Sequence, residues 1–238
     1  MSRTTIDYGI DLGTTNSCIA LLNGTGTDII ENNYQAKLTP SAVWMDGKCR
    51  LHVGQKAKER LEDDPCNAFS EFKLQMGTSH FWTFQNSGKE VRPEELSAEV
   101  LKSLRGDVEQ QKGEVMNSAI ITVPADFDLP ENAATQRAAQ MAGFSYVQLV
   151  QEPVAAALAY GFQSDSDKVF WLVYDMGGGT FDAAIVQMRD GIIRVVNHGG
   201  DKNLGGKQID RDIVNNILVP AIAKQGYTLP DFKKGNPR

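Results

Sequence analysis

The sequence has few cysteines and no long apolar run, and each absence excludes a class of protein. Cys18, Cys49 and Cys66 are odd in number and widely spaced, with no CxxC pair, so they predict neither a disulfide framework nor a zinc site. No apolar stretch approaches the roughly 18–20 residues that cross a bilayer, and the first residues contain no signal-peptide core. We therefore expect a cytoplasmic protein that is neither secreted nor embedded in a membrane.

Basic residues are in the minority as well. The 238 residues include 24 Lys and Arg against 30 Asp and Glu, which gives a formal net charge of −6. Nucleic-acid-binding domains usually carry a basic excess, so we predict no nucleic-acid partner. Hydrophobic residues make up 41% of the chain and charged residues 23%, which excludes the disordered and low-complexity classes.

Short apolar runs alternate along the chain with amphipathic segments, and this alternation predicts an α/β fold. Pro or Gly brackets most of the predicted helices, which cover 93–112, 131–142, 154–160 and about 207–224. The predicted strands are 7–12, 18–22, 119–123, 146–150, 169–175, 183–188 and 192–197. Segment 32–92 has a more irregular and polar sequence, and we expect it to be an insertion or subdomain packed beside the core.

One motif occurs twice. Residues 8–24 and 173–191 each contain an apolar strand that ends in Asp (Asp11 and Asp175), a turn rich in Gly and Thr, a second strand and a polar turn that closes on Gly. This plan predicts two β-hairpins, each with an unusual loop. The two hairpins could face each other and hold one polyphosphate from both sides.

The residues of the two turns suit phosphate. The glycines at 13 and 177–179 allow backbone N–H groups to approach an anion, and Thr14, Thr15 and Thr180 add hydroxyl donors. The Asp at each strand end is placed to hold Mg²⁺, directly or through its water shell. A single turn of this kind is most often an ordinary tight hairpin, whereas a pair is far less expected by chance.

Two common nucleotide-binding motifs are absent. A P-loop needs GxxxxGK[ST], and here Lys207 follows Gly206 but precedes Gln208. The GGGTF turn is not a GxGxxG that opens a helix. A phosphate site in this chain would therefore be of another type.

Five motifs together resemble a known family in order and spacing. They are GIDLGTTNS at 9–17, AIITVP at 119–124, EPVAAALAYG at 152–161, YDMGGGTFD at 174–182 and LGG at 204–206. They resemble the nucleotide-binding (ATPase) domain of the heat shock protein 70 chaperone family, in a divergent, bacterial-type form. The resemblance runs over nearly the whole chain and is weakest at 77–92.

The resemblance implies an actin-like ATPase fold of the ribonuclease H-like type. We expect residues 1–172 to form a first lobe, with its core at 1–39 and 117–172 and an inserted subdomain at 40–116. Residues 173–238 would be the incomplete beginning of a second lobe. The client-binding domain and most contacts to the adenosine would then be missing.

The same resemblance implies roles for individual residues. Asp11 and Asp175 would hold Mg²⁺, largely through water. Lys73, Glu152, Asp175, Thr180 and Asp182 would form the catalytic set, in which Lys73 contacts the phosphates, Glu152 orients the attacking water and Asp182 lies near that water or a K⁺ ion. The residues expected to bind ATP or ADP are Gly13, Thr14, Thr15, Asn16, Gly177, Gly178, Gly179, Thr180, Gly205 and Gly206.

The sequence also departs from the family pattern. Asp126 stands where the family has a tyrosine, and Asn132 falls near the place of an arginine, so coupling between nucleotide and client sites is not implied here. Partners through the complete protein would be unfolded client proteins and co-chaperones. An incomplete second lobe would expose apolar residues of the last helix, namely Ile209, Ile213, Ile217 and Leu218, which suggests a homodimer.

Three functions from different classes remain. The first is magnesium-dependent ATP hydrolysis that drives a chaperone cycle, with activity impaired in this truncated chain. The second is a non-catalytic fragment that binds nucleotide or a co-chaperone. The third is a small-molecule kinase of the actin superfamily, which would need a sugar site and a base Asp that the sequence does not reveal.

Overall fold

The computed structural model of the chain describes residues 5–24, 26–160, 170–189, 191–201 and 203–226. The strands among them are β1 (Tyr8–Asp11), β2 (Asn16–Asn23), β3 (Gly26–Ile29), β4 (Thr39–Pro40), β5 (Ala42–Met45), β6 (Leu51–Val53), β7 (Ala68–Ser70), β8 (Trp82–Phe84), β9 (Lys89–Val91), β10 (Ser118–Val123), β11 (Tyr146–Gln151), β12 (Phe170–Met176), β13 (Phe181–Arg189) and β14 (Ile192–Asp201). The α-helices are α1 (Gln55–Lys58), α2 (Arg60–Asp63), α3 (Pro93–Lys112), α4 (Leu129–Met141), α5 (Glu152–Ala159), α6 (Gly206–Ile213) and α7 (Val219–Ala223).

The first sheet is mixed and has the order β11-β10-β1-β2-β3, with β4 paired to β2. Strands β1, β10 and β11 are parallel, and β2 is antiparallel to β1. Asp11 lies opposite Thr122 of β10 on one side and opposite Cys18 of β2 on the other. The carboxyl ends of the three parallel strands therefore meet at one edge of the sheet, where functional groups of α/β proteins commonly lie.

The second sheet is antiparallel, with the order β12-β13-β14. Its first hairpin pairs Asp175 with Asp182, as the hairpin of β1 and β2 pairs Asp11 with Cys18. The two predicted hairpins are thus confirmed. Gly24 and Gly191, which close them, both have left-handed backbone angles (φ 62° and 74°) that favour glycine.

Segment 32–92 is more regular than its sequence suggests. It carries the three-stranded sheet β6-β5-β7, the two-stranded sheet β8-β9 and a 3₁₀ helix at Phe72–Gln75. Buried Val43, Phe69 and Phe84 belong to the same hydrophobic cluster as Ile10 and Ile19 of the first sheet. The sequence analysis named no strand in this segment, because strands of two to four residues are too short to show an alternating pattern.

The helices agree with their sequence signals. Helix α3 spans the predicted 93–112, and α4 begins at Leu129, two residues before the prediction. The predicted helix 207–224 is helical throughout, but Val214–Leu218 is wound as a π-helix between α6 and α7. Pro220 follows this turn and has no N–H to donate to the preceding turn, which accounts for the local change. Three positions of the sequence analysis lie outside the described residues. They are Gly161, which follows the predicted helix 154–160, residue 169, which begins a predicted strand, and the tail from 227.

Among the described residues, none of the helices combines the length and the hydrophobicity that a membrane span requires. The buried core joins α3 and α4 to the first sheet. A carboxyl group of α3 is deeply buried beside this core. Asp107 of α3 is 3% exposed, and its Oδ2 has no hydrogen-bond partner in the described part of the chain. Burial raises the pKa of Asp107 to about 6.

Replacing Asp107 with Asn is expected to stabilise the protein at neutral pH. The folded state binds the proton of Asp107 more tightly than the unfolded state, so this residue costs stability as the pH rises from about 4 to 6. Above pH 7 the cost is about 2–3 kcal/mol. Urea unfolding should show that Asp107→Asn gains stability by this amount at pH 7.5 and gains none at pH 4. Glu109→Gln, on an exposed position of the same helix, is the control, and equal effects of both variants would contradict the explanation.

Candidate functional site

The loops of the two hairpins lie against each other. The first loop (residues 12–15) connects β1 to β2, and the second loop (residues 177–180) connects β12 to β13. A Cβ atom added to Gly178 would lie 2.5 Å from Oγ1 of Thr15, and one added to Gly179 would lie 3.6 Å from Cγ2 of Thr14. Both loops open into one cleft of about 670 Å³. This volume is in the usual range for a small-molecule site.

The LGG segment (residues 204–206) packs against the second loop on the side away from the cleft. The N–H groups of Gly206 and Lys207 donate hydrogen bonds to the carbonyl oxygens of Gly177 and Gly178 at 3.0 and 2.9 Å. A Cβ on Gly205 would lie 2.6–2.8 Å from backbone atoms of Gly178 and Gly179. Gly205 and Gly206, like Gly179, are not among the residues that line the cleft.

Replacing Gly205 with Ala is expected to destabilise the protein and distort the second loop. The added methyl group would contact backbone atoms, which cannot rotate away, and overpacking of this kind costs about 1–3 kcal/mol. Gly199→Ala is the matched control, because a Cβ on Gly199 has no neighbour within 4 Å. Thermal unfolding would measure both, and a Gly205→Ala variant as stable as Gly199→Ala would contradict the packing argument.

Two serines fix the first loop, and the sequence analysis missed both. The Ser41 hydroxyl donates to the carbonyl oxygen of Gly13 at 2.7 Å and lies 2.9 Å from the Ser17 hydroxyl, which is fully buried. The Ser41 N–H donates to the carbonyl oxygen of Thr15 at 2.9 Å. Only the pairing of β4 with β2 brings Ser41 to this loop, so no sequence signal could have found it.

The predicted metal-binding carboxylates both line the cleft. Asp11 is the last residue of β1 and Asp175 is the last but one of β12, and both residues are exposed. Oδ1 of Asp11 accepts a hydrogen bond from the Thr122 hydroxyl at 3.2 Å. Thr122 was also missed, although its place near the carboxyl end of a parallel strand was a usable signal.

Lys73 and Glu152 form an ion pair in the cleft. The Lys73 ammonium donates to Oε1 of Glu152 at 2.7 Å, and the two side chains are only 9% and 21% exposed. The 3₁₀ helix carries Lys73, and Glu152 is the first residue of α5. Lys73 also lies over the ring of Phe127, 5.9 Å from its centroid.

Burial raises the pKa of Glu152. The charges of Asp11 and Asp175 act in the same direction, whereas Lys73 opposes them through its charge and its hydrogen bond. A carboxyl group with a raised pKa beside a cation is a candidate general base. Burial also raises the pKa of the Cys18 thiol, which favours its packing role over that of a nucleophile.

Carboxylates dominate the charged groups that line the cleft. They are Asp11, Asp126, Glu131, Glu152, Asp175 and Asp182, and the one lining cation in the described part of the chain is Lys73. A polyphosphate would be repelled by this set unless a divalent cation came with it. Among the described residues, no three His, Cys, Asp or Glu side chains are grouped to hold a metal by themselves.

The first and second loops fit a phosphate group. Oγ1 of Thr15 is buried and has no hydrogen-bond partner among the described residues, and it lies directly against Gly178. Buried polar atoms usually have a partner, so a hydroxyl without one is suited to donate to a ligand oxygen. Asp11 and Asp175 carry carboxylate oxygens, the ligand type that Mg²⁺ prefers, and an ion that keeps several of its waters would need few ligands from the protein.

Comparison with known families gives the assignment. The family model described as Hsp70 protein matches residues 7–234. The chain belongs to the Hsp70 family. Its mixed α/β architecture is that of the actin-like Hsp70 ATPase fold. Hsp70 proteins are ATP-binding chaperones with ATPase activity, and they generally bind ATP or ADP together with Mg²⁺.

Asp126 and Asn132 are the two positions at which the sequence analysis expects a departure from the family pattern. Asp126 lines the cleft. Nδ2 of Asn132 donates to the carbonyl oxygen of Phe127 at 3.0 Å, while its Oδ1 is buried without a hydrogen-bond partner in the described part of the chain. Asn132 therefore holds the loop before α4 in place.

Proposed function

We propose that this Hsp70 chain binds and hydrolyses magnesium-ATP as the motor of a chaperone cycle. One observation carries the proposal. Two Gly/Thr loops, each beside a strand-end aspartate, open into the same cleft as the Lys73–Glu152 ion pair. Phosphoryl transfer requires mainly positioning and neutralisation of charge, and this set of groups is able to provide both.

Each group has a distinct part in the proposed reaction. The two loops, with Thr14, Thr15 and Thr180, hold the phosphates, and Lys73 stabilises the charge that develops on the transferred group. Glu152 orients the attacking water and accepts its proton. Bound Mg²⁺ would neutralise phosphate charge, held through water by Asp11 and Asp175. Asp182 lies next to this group of residues and is suited to contact the water or a K⁺ ion.

The remaining expectations also belong to this proposal. Residues 1–172 would form the first lobe and residues 173–238 the beginning of the second, in line with the separate sheets that the two hairpins join. Unfolded client proteins and co-chaperones would be its partners, and a cytoplasmic location stays a prediction. Exposed Ile209, Ile213, Ile217 and Leu218 support a homodimer.

Calorimetry with the 238-residue chain tests binding first. Because carboxylates line the cleft, saturable heat is expected for ATP with Mg²⁺ and none for ATP with EDTA. Release of phosphate in a single turnover then separates hydrolysis from simple binding. A phosphorylated sugar among the products would favour the kinase alternative, and absence of any binding would reject the proposal for this chain.

A further inference from the structure

An ion pair links the segment that carries Lys73 to the second loop. The Lys207 ammonium contacts Oε1 of Glu71, which lies two residues before Lys73. Lys207 is itself fixed to the second loop, because its N–H donates to the carbonyl oxygen of Gly178 at 2.9 Å. Two structures that line the cleft are thus joined by one side-chain contact outside the catalytic set.

The backbone at Glu71 is unusual. Its angles are φ 60° and ψ 15°, a left-handed conformation that glutamate rarely adopts. The carbonyl oxygen of Glu71 accepts a hydrogen bond from the N–H of Leu74 at 3.0 Å, so this residue begins the 3₁₀ turn on which Lys73 lies. A shift of Glu71 would therefore move the turn and change the position of Lys73. Strained residues of this kind often lie at functional sites.

Exposure distinguishes this ion pair from the one in the cleft. The side chains of Lys207 and Glu71 are 47% and 40% exposed, whereas those of Lys73 and Glu152 are largely buried. An exposed pair is weak and is screened by salt, so it breaks and re-forms easily. This behaviour suits a contact that must open when a ligand leaves.

We propose that Glu71 and Lys207 form a positioning pair, which holds the Lys73 turn against the second loop and slows the release of a bound nucleotide. This inference rests on the proposed function, since it concerns the same cleft. Neither Glu71 nor Lys207 lines the cleft, so the pair acts through the turn and the loop that it joins, and its main effect is on the residence time of the ligand. The rate of the chemical step depends instead on Lys73 and Glu152.

Displacement of a fluorescent ATP analogue in stopped flow tests the pair. Glu71→Gln and Lys207→Gln are each expected to raise the dissociation rate about two- to fivefold at low salt, the range for an exposed pair. The double variant should dissociate no faster than either single one, and the reversed pair Glu71→Lys with Lys207→Glu should recover part of the slow release. High salt should raise the dissociation rate of the original chain toward that of the variants. Unchanged rates or additive effects would overturn the proposal.

A similar ion pair elsewhere provides the control. Lys102 and Glu99 contact each other at 2.6 Å on α3, with side chains 47% and 25% exposed. Lys102→Gln should leave the dissociation rate unchanged. An acceleration equal to that of Lys207→Gln would show a general effect of charge and would overturn the positioning role.

A second measurement needs no ligand, so it separates this inference from the proposed function. Amide hydrogen exchange of residues 177–180 and 205–207 in the free chain should speed up in Glu71→Gln, because the second loop loses its tie to the Lys73 turn. Equal exchange in both chains would overturn the positioning role. If no chain binds nucleotide, the proposed function fails, and the exchange result alone decides whether Glu71 holds the loop.

Discussion

Replacing Lys73 with Ala is expected to lower the rate of phosphate release about 10²–10³-fold in a single turnover at saturating ATP. Two effects combine in this variant. The ammonium that would stabilise the transferred phosphoryl group is lost, and Glu152 loses the cation that opposes the rise in its pKa. More of Glu152 would then be protonated at neutral pH and unable to accept a proton from water. Lys73→Ala should therefore affect the chemical step more than the binding of ATP.

Lys102→Ala is the control for this experiment, because it removes an exposed lysine on α3, away from the cleft. Folding of the Lys73→Ala variant must be checked, because Lys73 is 8% exposed and its loss leaves a buried carboxylate. A circular dichroism spectrum and an unfolding curve would exclude a folding defect. If folded Lys73→Ala releases phosphate at the original rate, the assignment of Lys73 to the chemical step is wrong.

Replacing Glu152 with Gln is expected to slow hydrolysis about 10²-fold, with the dissociation constant for magnesium-ATP changed by less than about threefold. The amide oxygen of Gln can still accept the hydrogen bond from Lys73 that Glu152 now accepts at 2.7 Å. The variant therefore keeps the position of Lys73 and removes the base. Binding measured by calorimetry and phosphate release measured in a single turnover would separate the two effects.

The pH dependence sharpens this test. Because burial raises the pKa of Glu152, the rate should fall on the acid side at a higher pH than an ordinary glutamate would give. That acid limb should disappear in Glu152→Gln. Glu131→Gln is the matched control, since it removes another carboxylate from the lining of the same cleft. If both variants lost rate to a similar extent, the total charge of the cleft would explain the loss, and Glu152 would not be a specific base.

The sequence alone predicted the α/β class and most long elements. Helix α3 has clear end signals and a regular apolar face, so its bounds at 93 and 112 were predicted correctly. The two hairpins were recognisable because a strand that ends in Asp and a Gly/Thr turn are contiguous in the chain. The small strands between 39 and 91 were missed, since their pairing depends on contacts distant in sequence.

The residues of the candidate site also fall into those that the sequence indicated and those that only the structure revealed. The sequence determined which residue types could hold phosphate and metal, and the motifs around Asp11, Asp175 and Glu152 indicated where to look. Only the tertiary structure decided that Ser41 and Thr122 fix the first hairpin, that Gly205 lies behind the second loop, and that Glu71 meets Lys207. The physical reason is that a motif encodes local backbone geometry, whereas these contacts join residues that are brought together only by the packing of separate sheets and helices.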